Sequence, residues 1–307
     1  RPQAAHAQAL TDGTPMAECS RPLVSILVLS HNKAEHTRRC FRGLLQSSYR
    51  PFEIVALDNG STDGTPGLYA SFAAEAAAAG VAFRPTRLEA NVGAVTGRNL
   101  ALQQTRGDYV VFLDNDVVPR TRSWLERLRA ALEADRSAGI VGPKLVYPFP
   151  PYLIQFAGGA VTPTGWVHFL GRGEPREAPA FNQPREVQCL ISACWMMPRR
   201  LANQLGPLDE GFNPLQFEDI DYCYRARDAG YRVLYLPSVE MYHFENVTSG
   251  DTPTINYTYV TVKNAMRFKK RWRHKFETEG GPSDKEFHWA EIPKRDIREV
   301  GELEMTE

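Results

Sequence analysis

The sequence predicts an α/β fold, a mostly parallel sheet flanked by helices. From residue 21 onward, short apolar runs typical of strands buried on both faces alternate with segments of helical period. Clusters of turn-forming residues follow several of these runs, as they do in β-α units. The chain has 307 residues, of which 43% are apolar and 23% charged, so it is long enough for one large α/β domain with a substantial core.

The first half of the chain is predicted to alternate strand and helix. In order, the elements are a strand at 23–30, a helix ended by Pro51, a strand at 52–57, an Ala-rich helix at 67–79, a strand at 81–83, a helix from Asn91 to residue 105, a strand at 109–113 and a helix after Ser123. Two of these helix starts, Asn32 with Glu35 and Ser123 with Glu126, have the spacing of capping boxes. This alternation favours parallel strands joined by helical crossovers.

The second half has a different texture. Residues 143–185 contain many Pro, Gly and aromatic residues without a helical period, which predicts short strands and long loops. Further along, the pattern predicts helices at 199–205 and 218–229, a strand at 231–236 and a basic helix at 260–276. Gly230 has the position of a helix C-terminal glycine, and the basic helix carries an apolar stripe at Ala265, Phe268, Trp272 and Phe276. The charged tail from residue 277 is expected to be mobile.

Charge and composition exclude several classes of protein. Lys and Arg number 36 and Asp and Glu also number 36, which disfavours a nucleic-acid-binding protein. No apolar run approaches the roughly 20 residues of a membrane span, and the first twenty residues lack the apolar core of a signal peptide. The five cysteines form no C-x-x-C pair, so we expect reduced thiols and a cytosolic compartment.

Asp114-Asn115-Asp116 ends the predicted fourth strand. Side chains alternate along an extended strand, so both aspartates can point to the same side, at the strand end where open α/β sheets bind ligands. Two carboxylates in one site repel each other unless a cation lies between them. Mg²⁺ and Mn²⁺ take oxygen ligands and bridge to substrate phosphates. The motif therefore indicates a divalent-cation site, with two solvated turn aspartates as the alternative.

Two further loops follow predicted strands at the same edge. The turn-rich run from Asp58 to Gly64 begins with a carboxylate that can accept a hydrogen bond from the ring N–H of a pyrimidine base, although a plain turn is the alternative. The helix start at Asn91-Val92-Gly93 is expected to offer free backbone N–H groups to an anion, and Arg98 adds a bidentate donor. A capped helix with a surface arginine is the alternative there.

The later half contains two more candidate groups. Glu218, Asp219 and Asp221 lie at a predicted helix start after an irregular stretch, where a carboxylate can act as general base toward a hydroxyl. A favourable interaction with the helix dipole is the structural alternative. His243 stands between two aromatic residues, which is more typical of a core histidine. The basic helix has the pattern of an anion-binding surface or of a solvated helix face.

Taken in this order and spacing, these segments resemble the family 2 glycosyltransferases of the GT-A fold. The resemblance runs from residue 24 to residue 272 and includes the late Tyr242-His243. The other segments that carry it are Val24-Ser25-Ile26-Leu27-Val28, Asp58 to Gly64, Asn91-Val92-Gly93 with Arg98-Asn99, Phe112-Leu113-Asp114-Asn115-Asp116, Phe217-Glu218-Asp219-Ile220-Asp221 and Gly230-Tyr231-Arg232-Val233.

The resemblance implies a Rossmann-like sheet with a smaller acceptor-side sheet and loop region and a C-terminal amphipathic helix. The parts would be an N-terminal tail (1–20), a nucleotide-sugar-binding half (21–138), an acceptor-binding and catalytic half of the same domain (139–259), and the basic helix with its charged tail (260–307). The loop at Cys194-Trp195-Met196-Met197 is bulkier than is usual for the family. No membrane helices follow the catalytic region, which disfavours a processive polysaccharide synthase.

The family implies transfer of a sugar from a nucleotide-sugar, UDP- or dTDP-linked, to a hydroxyl acceptor, with inversion and with Mn²⁺ or Mg²⁺. Carried over by position, Asp58 would contact the base, Asp114 the ribose and Asp116 the metal, and Asp219 would be the general base supported by Glu218. The full implied set is Asp58, Asn91, Gly93, Arg98 and Asp114 for the donor, Asp114, Asp116 and His243 for the cation, and Asp219, Glu218 and Asp221 for catalysis. The acceptor stays open between a glycan, a lipid-linked molecule and a peptide, and a cytoplasmic location with peripheral membrane contact is expected.

Three rivals remain at this point. Asp114-x-Asp116-x-Val118 after an apolar strand also resembles the signature of haloacid-dehalogenase-like phosphatases, although there the first aspartate follows the first core strand. A nucleotidyltransferase of related fold would carry a Gly-rich basic signature soon after its first strand, and Ser30-His31-Asn32-Lys33 is not one. A non-catalytic nucleotide-sugar-binding subunit is the third, and the intact carboxylate set disfavours it.

Overall fold

The computed structural model describes residues 21–245, 247, 256–286, 288–293 and 295–307, and it consists of helices packed on a central sheet. The predicted α/β class is confirmed. The N-terminal tail predicted at 1–20 lies outside the described residues. The division between the two halves at residues 138 and 139 stays a prediction.

Twelve strands and seven α-helices lie within the described ranges. The strands are β1 (Val24–Ser30), β2 (Phe52–Asp58), β3 (Ala82–Arg87), β4 (Tyr109–Asp114), β5 (Val117–Pro119), β6 (Ala138–Val146), β7 (Ile154–Phe156), β8 (Gly159–Val161), β9 (Val167–Phe169), β10 (Arg185–Glu186), β11 (Cys194–Pro198) and β12 (Arg232–His243). The helices are α1 (Ala34–Leu45), α2 (Thr65–Ala78), α3 (Ala94–Leu102), α4 (Trp124–Ala134), α5 (Arg199–Leu205), α6 (Glu218–Asp228) and α7 (Tyr257–Phe276).

The main sheet is mixed and runs through both halves of the chain. Its order is β10-β12-β6-β11-β4-β1-β2-β3, with β5 added beside β12 and β7 beside β6. The run β4-β1-β2-β3 is parallel, as predicted, and β12 is parallel to β6. Strand β11 lies between these groups and is antiparallel to both β4 and β6. A separate two-stranded sheet, β8-β9, corresponds to the smaller sheet expected in the second half.

Helices cover the sheet and bury its apolar strands. Helix α3 packs against β1 and β2, α4 against β6 and β12, and α6 against β12. On β1, Val24, Ile26 and Val28 are buried on one face of the sheet and Leu27 on the other, which is why this run is almost continuously apolar. Among the described residues, no helix is long and apolar enough to cross a membrane.

The structure differs from the sequence expectation at the start of the 143–185 region. Residues 143–146, expected among short strands and long loops, complete β6, a nine-residue strand that begins at Ala138 and is buried throughout. Its glycines allow close packing, since a Cβ on Gly139 would lie 2.7 Å from the Cβ of Tyr231 and one on Gly142 would lie 2.9 Å from Cδ1 of Leu190. Strand β12 is also longer than predicted.

Neither predicted capping box forms. The residue before α1 is Lys33, with φ 63°, and it makes no side-chain cap. The Asn32 side chain instead accepts from the backbone N–H groups of Thr62 and Asp63, at 2.8 and 3.2 Å, and so joins two loops. Ser123 before α4 also lacks its side-chain cap. In both places a local sequence signal is overridden by the surrounding structure.

The C-terminal tail packs against the domain, contrary to the expectation of a mobile segment. Arg39 on α1 donates to the carbonyls of Ile297, Val300 and Gly301, and the N–H of Thr306 donates to the Arg120 carbonyl. The four described cysteines are free and buried, in keeping with reduced thiols, whereas Cys19 lies outside the described residues.

Candidate active site

The carboxyl ends of β1, β2 and β4 meet at one edge of the sheet. Ser30 pairs with Asp58 across β1 and β2, and Leu29 pairs with Asp114 across β1 and β4. A cavity of 260 Å³ opens at this edge. It is closed on the other side by the start of α6 and by the loop at residues 214–216. The topology thus brings together segments that are far apart in the sequence.

Asp114, Asp116 and His243 form a group suited to a metal ion. One ligand atom from each lies within 4.8 Å of those of the others. Both aspartates face this group as the strand alternation predicts, whereas the amide of Asn115 between them donates to the hydroxyl of Thr37 at 2.8 Å. Two carboxylates with one imidazole are a donor set that fits Mn²⁺ or Mg²⁺, and the imidazole favours Mn²⁺.

Strand pairing explains how His243 reaches this group. Strand β5 follows the Asp114-Asn115-Asp116 turn and pairs antiparallel with the end of β12, so that Val117 lies opposite His243. The N–H of Phe244 then donates to the Asp116 carbonyl at 3.1 Å. His243 is buried, with its Nε2 3.5 Å from Oδ1 of Asp116. Burial lowers the pKa of His243, but the Asp116 carboxylate outweighs this and holds that pKa above its ordinary value.

Arg98 is already paired within the cavity wall. Its guanidinium donates to Asp114 Oδ1 at 2.5 Å and to Glu218 Oε1 at 2.7 Å, and the residue is buried. Burial raises the pKa of Glu218 to about 7, with the charge of Asp219 adding to the rise and Arg98 opposing it. Arg98 therefore joins the Asp114-Asn115-Asp116 turn to the start of α6, whereas the sequence predicts a bidentate donor available to an anion.

Asp219 faces the cavity from the first turn of α6. Its Oδ2 accepts from the N–H of Ser192 at 3.1 Å, and its Oδ1 accepts from the N–H of Ile220 at 2.8 Å. Burial raises the pKa of Asp219, and the nearby charge of Asp114 raises it further. A fixed carboxylate with a raised pKa is suited to accept a proton.

Asp221 does not reach the cavity. It is fully buried, and its Oδ1 accepts from Arg271 Nη1 and Trp272 Nε1 of α7, both at 2.8 Å. The side chain thus anchors α7 to α6. Its surroundings do not fit the catalytic role expected from the sequence.

Asp58 lies behind the cavity wall. The residue is fully buried, its Oδ1 accepts from the N–H of Ser61, and its Oδ2 lies 3.5 Å from Arg87 Nε. Among the described residues, Oδ2 has no hydrogen-bond partner. The next residue, Asn59, lines the cavity in its place.

The start of α3 does not offer free N–H groups, contrary to the sequence expectation. Asn91 and Gly93 do line the cavity. The N–H of Gly93 donates to Asn91 Oδ1, however, and those of Ala94 and Val95 donate to the Pro214 carbonyl. The close fit of the 213–214 loop explains this, since a Cβ on Gly93 would lie 2.2 Å from Oδ1 of Asn213. An anion cannot use donors that the protein already occupies.

Sequence reasoning missed several residues of the cavity wall, among them His31, Asn59 and Gln155. Gln155 had a signal, because a glutamine between Ile154 and Phe156 is unusual inside an apolar strand. Asn264 was also missed. It is fully buried in α7 and donates to the carbonyls of Phe212, Leu215 and Gln216, so it holds the loop that borders the cavity. Long-range contacts of this kind leave no local pattern.

The architecture and the acidic cavity at the carboxyl ends of its strands define the GT-A class of fold. Residues 25–206, more than half of the chain, match the family model described as Glycosyl transferase family 2. The chain belongs to this family, as the sequence motifs predicted. The phosphatase alternative is not favoured, because β1, β2 and β3 all precede Asp114 in the chain.

The chain is also similar in sequence to individual bacterial proteins. The chain is 28% identical over 249 residues to the N-acetylglucosaminyl-diphospho-decaprenol L-rhamnosyltransferase of Mycobacterium tuberculosis, covering 75% of this chain and 79% of that protein. It is 31% identical over 261 residues to the uncharacterized protein y4gI of Sinorhizobium fredii, covering 82% of this chain but 28% of that protein.

Solved structures share the fold at low identity. GalNAc-T7 with UDP, GalNAc and Mn²⁺ has a TM-score of 0.67 at 19% identity, covering 83% of this chain and 50% of the other. The mannosyltransferase PcManGT of Pyrobaculum calidifontis, with GDP-Man and Mn²⁺, has a TM-score of 0.57 at 20% identity, covering 86% and 67%. The chain thus spans half of GalNAc-T7 and less than a third of y4gI.

Proposed function

We propose that the protein is a divalent-cation-dependent, inverting glycosyltransferase that uses a nucleotide-sugar donor. The observation that carries this is the charge of the cavity. Asp114, Asp116, Glu218, Asp219 and Glu245 line it, and Arg98 is the only arginine or lysine among its described lining residues. A nucleoside diphosphate is itself an anion, so it would bind here only together with a cation. The group of Asp114, Asp116 and His243 would hold Mn²⁺ or Mg²⁺.

The donor would lie along the strand ends. Asp58 would accept from the ring N–H of a uracil or thymine. Its Oδ2 accepts no hydrogen bond within the described residues, which supports this role, and its ion pair with Arg87 would open as the base approaches. Asn91 and Gly93 would shape the wall beside the nucleoside, Asp114 would contact the ribose, and Arg98 would hold Asp114 in place. UDP- and dTDP-sugars remain the proposed donors.

Asp219 would act as the general base. It would accept the proton of the acceptor hydroxyl while that oxygen forms a bond to the anomeric carbon and the bond to the diphosphate breaks on the opposite face, which inverts the configuration. The N–H of Ser192 fixes the carboxylate, and the Glu218–Arg98 pair supports the start of α6. When bound, the cation would supply positive charge to the departing diphosphate.

The proposed acceptor is a hydroxyl of a lipid-linked molecule at a membrane surface. The mycobacterial relative is named for a diphospho-decaprenol acceptor, which supports this choice over a free glycan or a peptide. Helix α7 begins at the cavity and exposes Tyr259, Val262 and Met266, with Lys263 and Lys270 also exposed. Apolar and cationic groups on one helix fit the interface of an anionic bilayer. We therefore propose a cytoplasmic protein with peripheral membrane contact.

A thermal-shift screen followed by a transfer assay tests the function. UDP-, dTDP- and GDP-sugars would be added with Mn²⁺, with Mg²⁺ and with chelator, and we expect one uridine or thymidine donor to raise the Tm only with a cation. The same donor should be hydrolysed or transferred to a prenyl-diphosphate-sugar acceptor, and chelation should abolish this turnover. Normal transfer in chelator would contradict the cation's role. Binding without turnover on any acceptor would indicate the non-catalytic subunit.

Two neighbouring variants sharpen this test. Asp116→Ala removes a proposed cation ligand and should abolish cation-dependent stabilisation by the donor. Asn115→Ala removes a hydrogen bond to Thr37 but no charge, so it should retain that stabilisation. Equal loss in both variants would point to general damage of the turn.

A further inference from the structure

A single polar side chain lies in buried strand β7. Gln155 is 1% exposed between Ile154 and Phe156, both buried. Its Oε1 lies 3.2 Å from Nδ1 of His243, and its Nε2 donates to Oε1 of Glu245 at 3.1 Å. The buried amide thus joins His243 of the candidate metal group to the carboxylate of Glu245.

These contacts determine which nitrogen carries the single proton of the neutral His243 ring. Glu245 as a carboxylate can only accept, so the NH₂ group of Gln155 must point toward it. The amide oxygen then faces His243 Nδ1, which must be the donor. In the neutral ring this leaves the lone pair on Nε2, the atom that lies 3.5 Å from Asp116 Oδ1.

The far end of the chain of contacts is also fixed. Arg172 donates to both oxygens of Glu245, at 2.7 and 3.1 Å, and the hydroxyl of Tyr147 donates to Oε2 at 2.9 Å. Arg172 in turn donates from Nε to the Ala290 carbonyl and stacks over the Trp289 ring at 3.9 Å. Glu245 therefore has one position, and through it the Gln155 amide has one orientation.

We propose that Gln155 is a positioning residue for the cation site, holding His243 in the tautomer that presents Nε2 to the metal. The inference rests on the proposed function, because it requires that Asp114, Asp116 and His243 bind a divalent cation. Metal-binding histidines generally donate their second ring nitrogen to an outer acceptor, and loss of that acceptor weakens metal binding about 10–100-fold. A neutral amide does this without adding another negative charge to a cavity already lined by five carboxylates.

The test measures Mn²⁺ affinity and the histidine tautomer separately from activity. In Gln155→Met, which conserves volume, we expect the Kd for Mn²⁺ in the presence of UDP, measured by EPR of the free ion, to rise about 10–100-fold. The ¹⁵N shifts of His243 in the neutral ring should report Nδ1–H in the wild type and a mixture of tautomers in the variant. Gln188→Met is the control, since Gln188 bonds to Tyr224 and Glu279 and does not line the cavity.

The outcomes separate the two proposals. Unchanged Mn²⁺ affinity and tautomer in Gln155→Met would overturn the role of Gln155 and leave the glycosyltransferase proposal standing. A wild type that binds no Mn²⁺ with any nucleotide would overturn the cation site itself. If Gln155→Met does not fold, Glu245→Gln removes the group that orients the amide, and the wild-type ¹⁵N spectrum decides alone: Nε2–H would overturn the inference.

Discussion

Asp219 and Asp221 lie two residues apart on α6 but have different surroundings. Side chains two residues apart on an α-helix point about 200° apart, so they meet different surroundings. Asp219 faces the cavity, whereas Asp221 lies fully buried beneath α7. Substitutions at the two positions should therefore have opposite consequences.

The first prediction compares Asp219→Asn with Asp221→Asn. Asp219→Asn should retain donor binding and stability but lose about 10²–10⁴-fold in transfer, the usual effect of removing a general base. Asp221→Asn weakens the contact with Arg271 and should lower the Tm while the folded protein still transfers sugar. Transfer assays and thermal melts on both variants check this. Near-normal transfer by Asp219→Asn would exclude it as the base.

The second prediction concerns pH. Asp219 must be ionised to accept a proton, and its pKa is raised by burial and by Asp114, so kcat/KM should fall with decreasing pH at a pH above the ordinary Asp value of about 3.9. The pH profile of kcat/KM would be recorded at saturating Mn²⁺. In Glu218→Gln the fall of kcat/KM at low pH should persist, which would show that it does not arise from the titration of Glu218. A fall centred on the ordinary Asp value would contradict the assignment of Asp219.

For single residues, the sequence predicts which side chains belong to the site better than it predicts the side chains that they contact. The turn at Asp114 and Asp116 and the position of Asp219 follow from strand alternation and helix starts, which are local. The pairing of Arg98 with Glu218 joins residues 120 positions apart, and the Gln155–His243 contact joins residues 88 apart. Only the fold brings such side chains together, and for that reason the expected anion site at α3 is wrong.

Among the elements, α7 has two faces with different roles. Val260, Asn264, Phe268, Trp272 and Phe276 are buried against the domain, so three of the four residues of the predicted stripe are buried and Ala265 is half-buried. Asp209 accepts from Arg267 and lies 3.0 Å from Arg271. Although burial raises the pKa of Asp209, the hydrogen bond from Arg267 brings it below its ordinary value. The opposite face of α7, which includes Val262, Lys263 and Met266, is exposed.

The third prediction concerns that exposed face. The full chain should bind vesicles containing anionic lipid, and binding should weaken as salt rises. Lys263→Gln with Lys270→Gln should reduce binding by about 2 kcal/mol, roughly 30-fold, at about 1 kcal/mol per lysine. Lys285→Gln on the tail is the control and should bind normally. Cosedimentation checks this, and absent or salt-independent binding would favour a solvated helix face.

Strand β6 shows why an element can escape a local pattern. The local pattern predicts no strand at Gly139 and Gly142 and places Pro143 and Lys144 in a region of short strands and long loops, yet all four lie in a strand that is buried throughout. The glycines meet Tyr231 and Leu190 closely, and Lys144 is 0% exposed with its Nζ 3.4 Å from Glu240. Distant neighbours thus explain the two glycines and the lysine of β6, whereas β1, which obeys the usual composition, is correctly predicted.

At the scale of the whole molecule, residues 297–306 of the tail contact α1 and the segment that follows β5. Arg39 on α1 donates to three carbonyls at residues 297–301, and Thr121 pairs with Thr306. Neighbouring Arg38 pairs only with exposed Glu35 among the described contacts. The two arginines provide a matched pair for measuring the tail's contribution.

The fourth prediction uses this pair. Arg39→Ala should lower the free energy of unfolding by about 1–2 kcal/mol, as expected for lost charge-assisted hydrogen bonds, and should make residues 295–307 more susceptible to proteolysis. Arg38→Ala should change stability by no more than about 0.5 kcal/mol. Denaturant titration and limited proteolysis check both. Equal behaviour of the two variants would show that the tail contributes no stability through Arg39.

The central position of β11 in the sheet affects folding while the chain is being synthesised. Strands β4 and β6 are complete by residue 146, but β11, which lies between them, begins only at Cys194, 48 residues later. At about 5–20 residues per second, the ribosome needs roughly 2–10 s to deliver it. For that interval the apolar edges of β4 and β6 lack their central partner and are open to pairing with other nascent chains. We therefore expect chaperone supply and translation speed to limit the yield of folded protein.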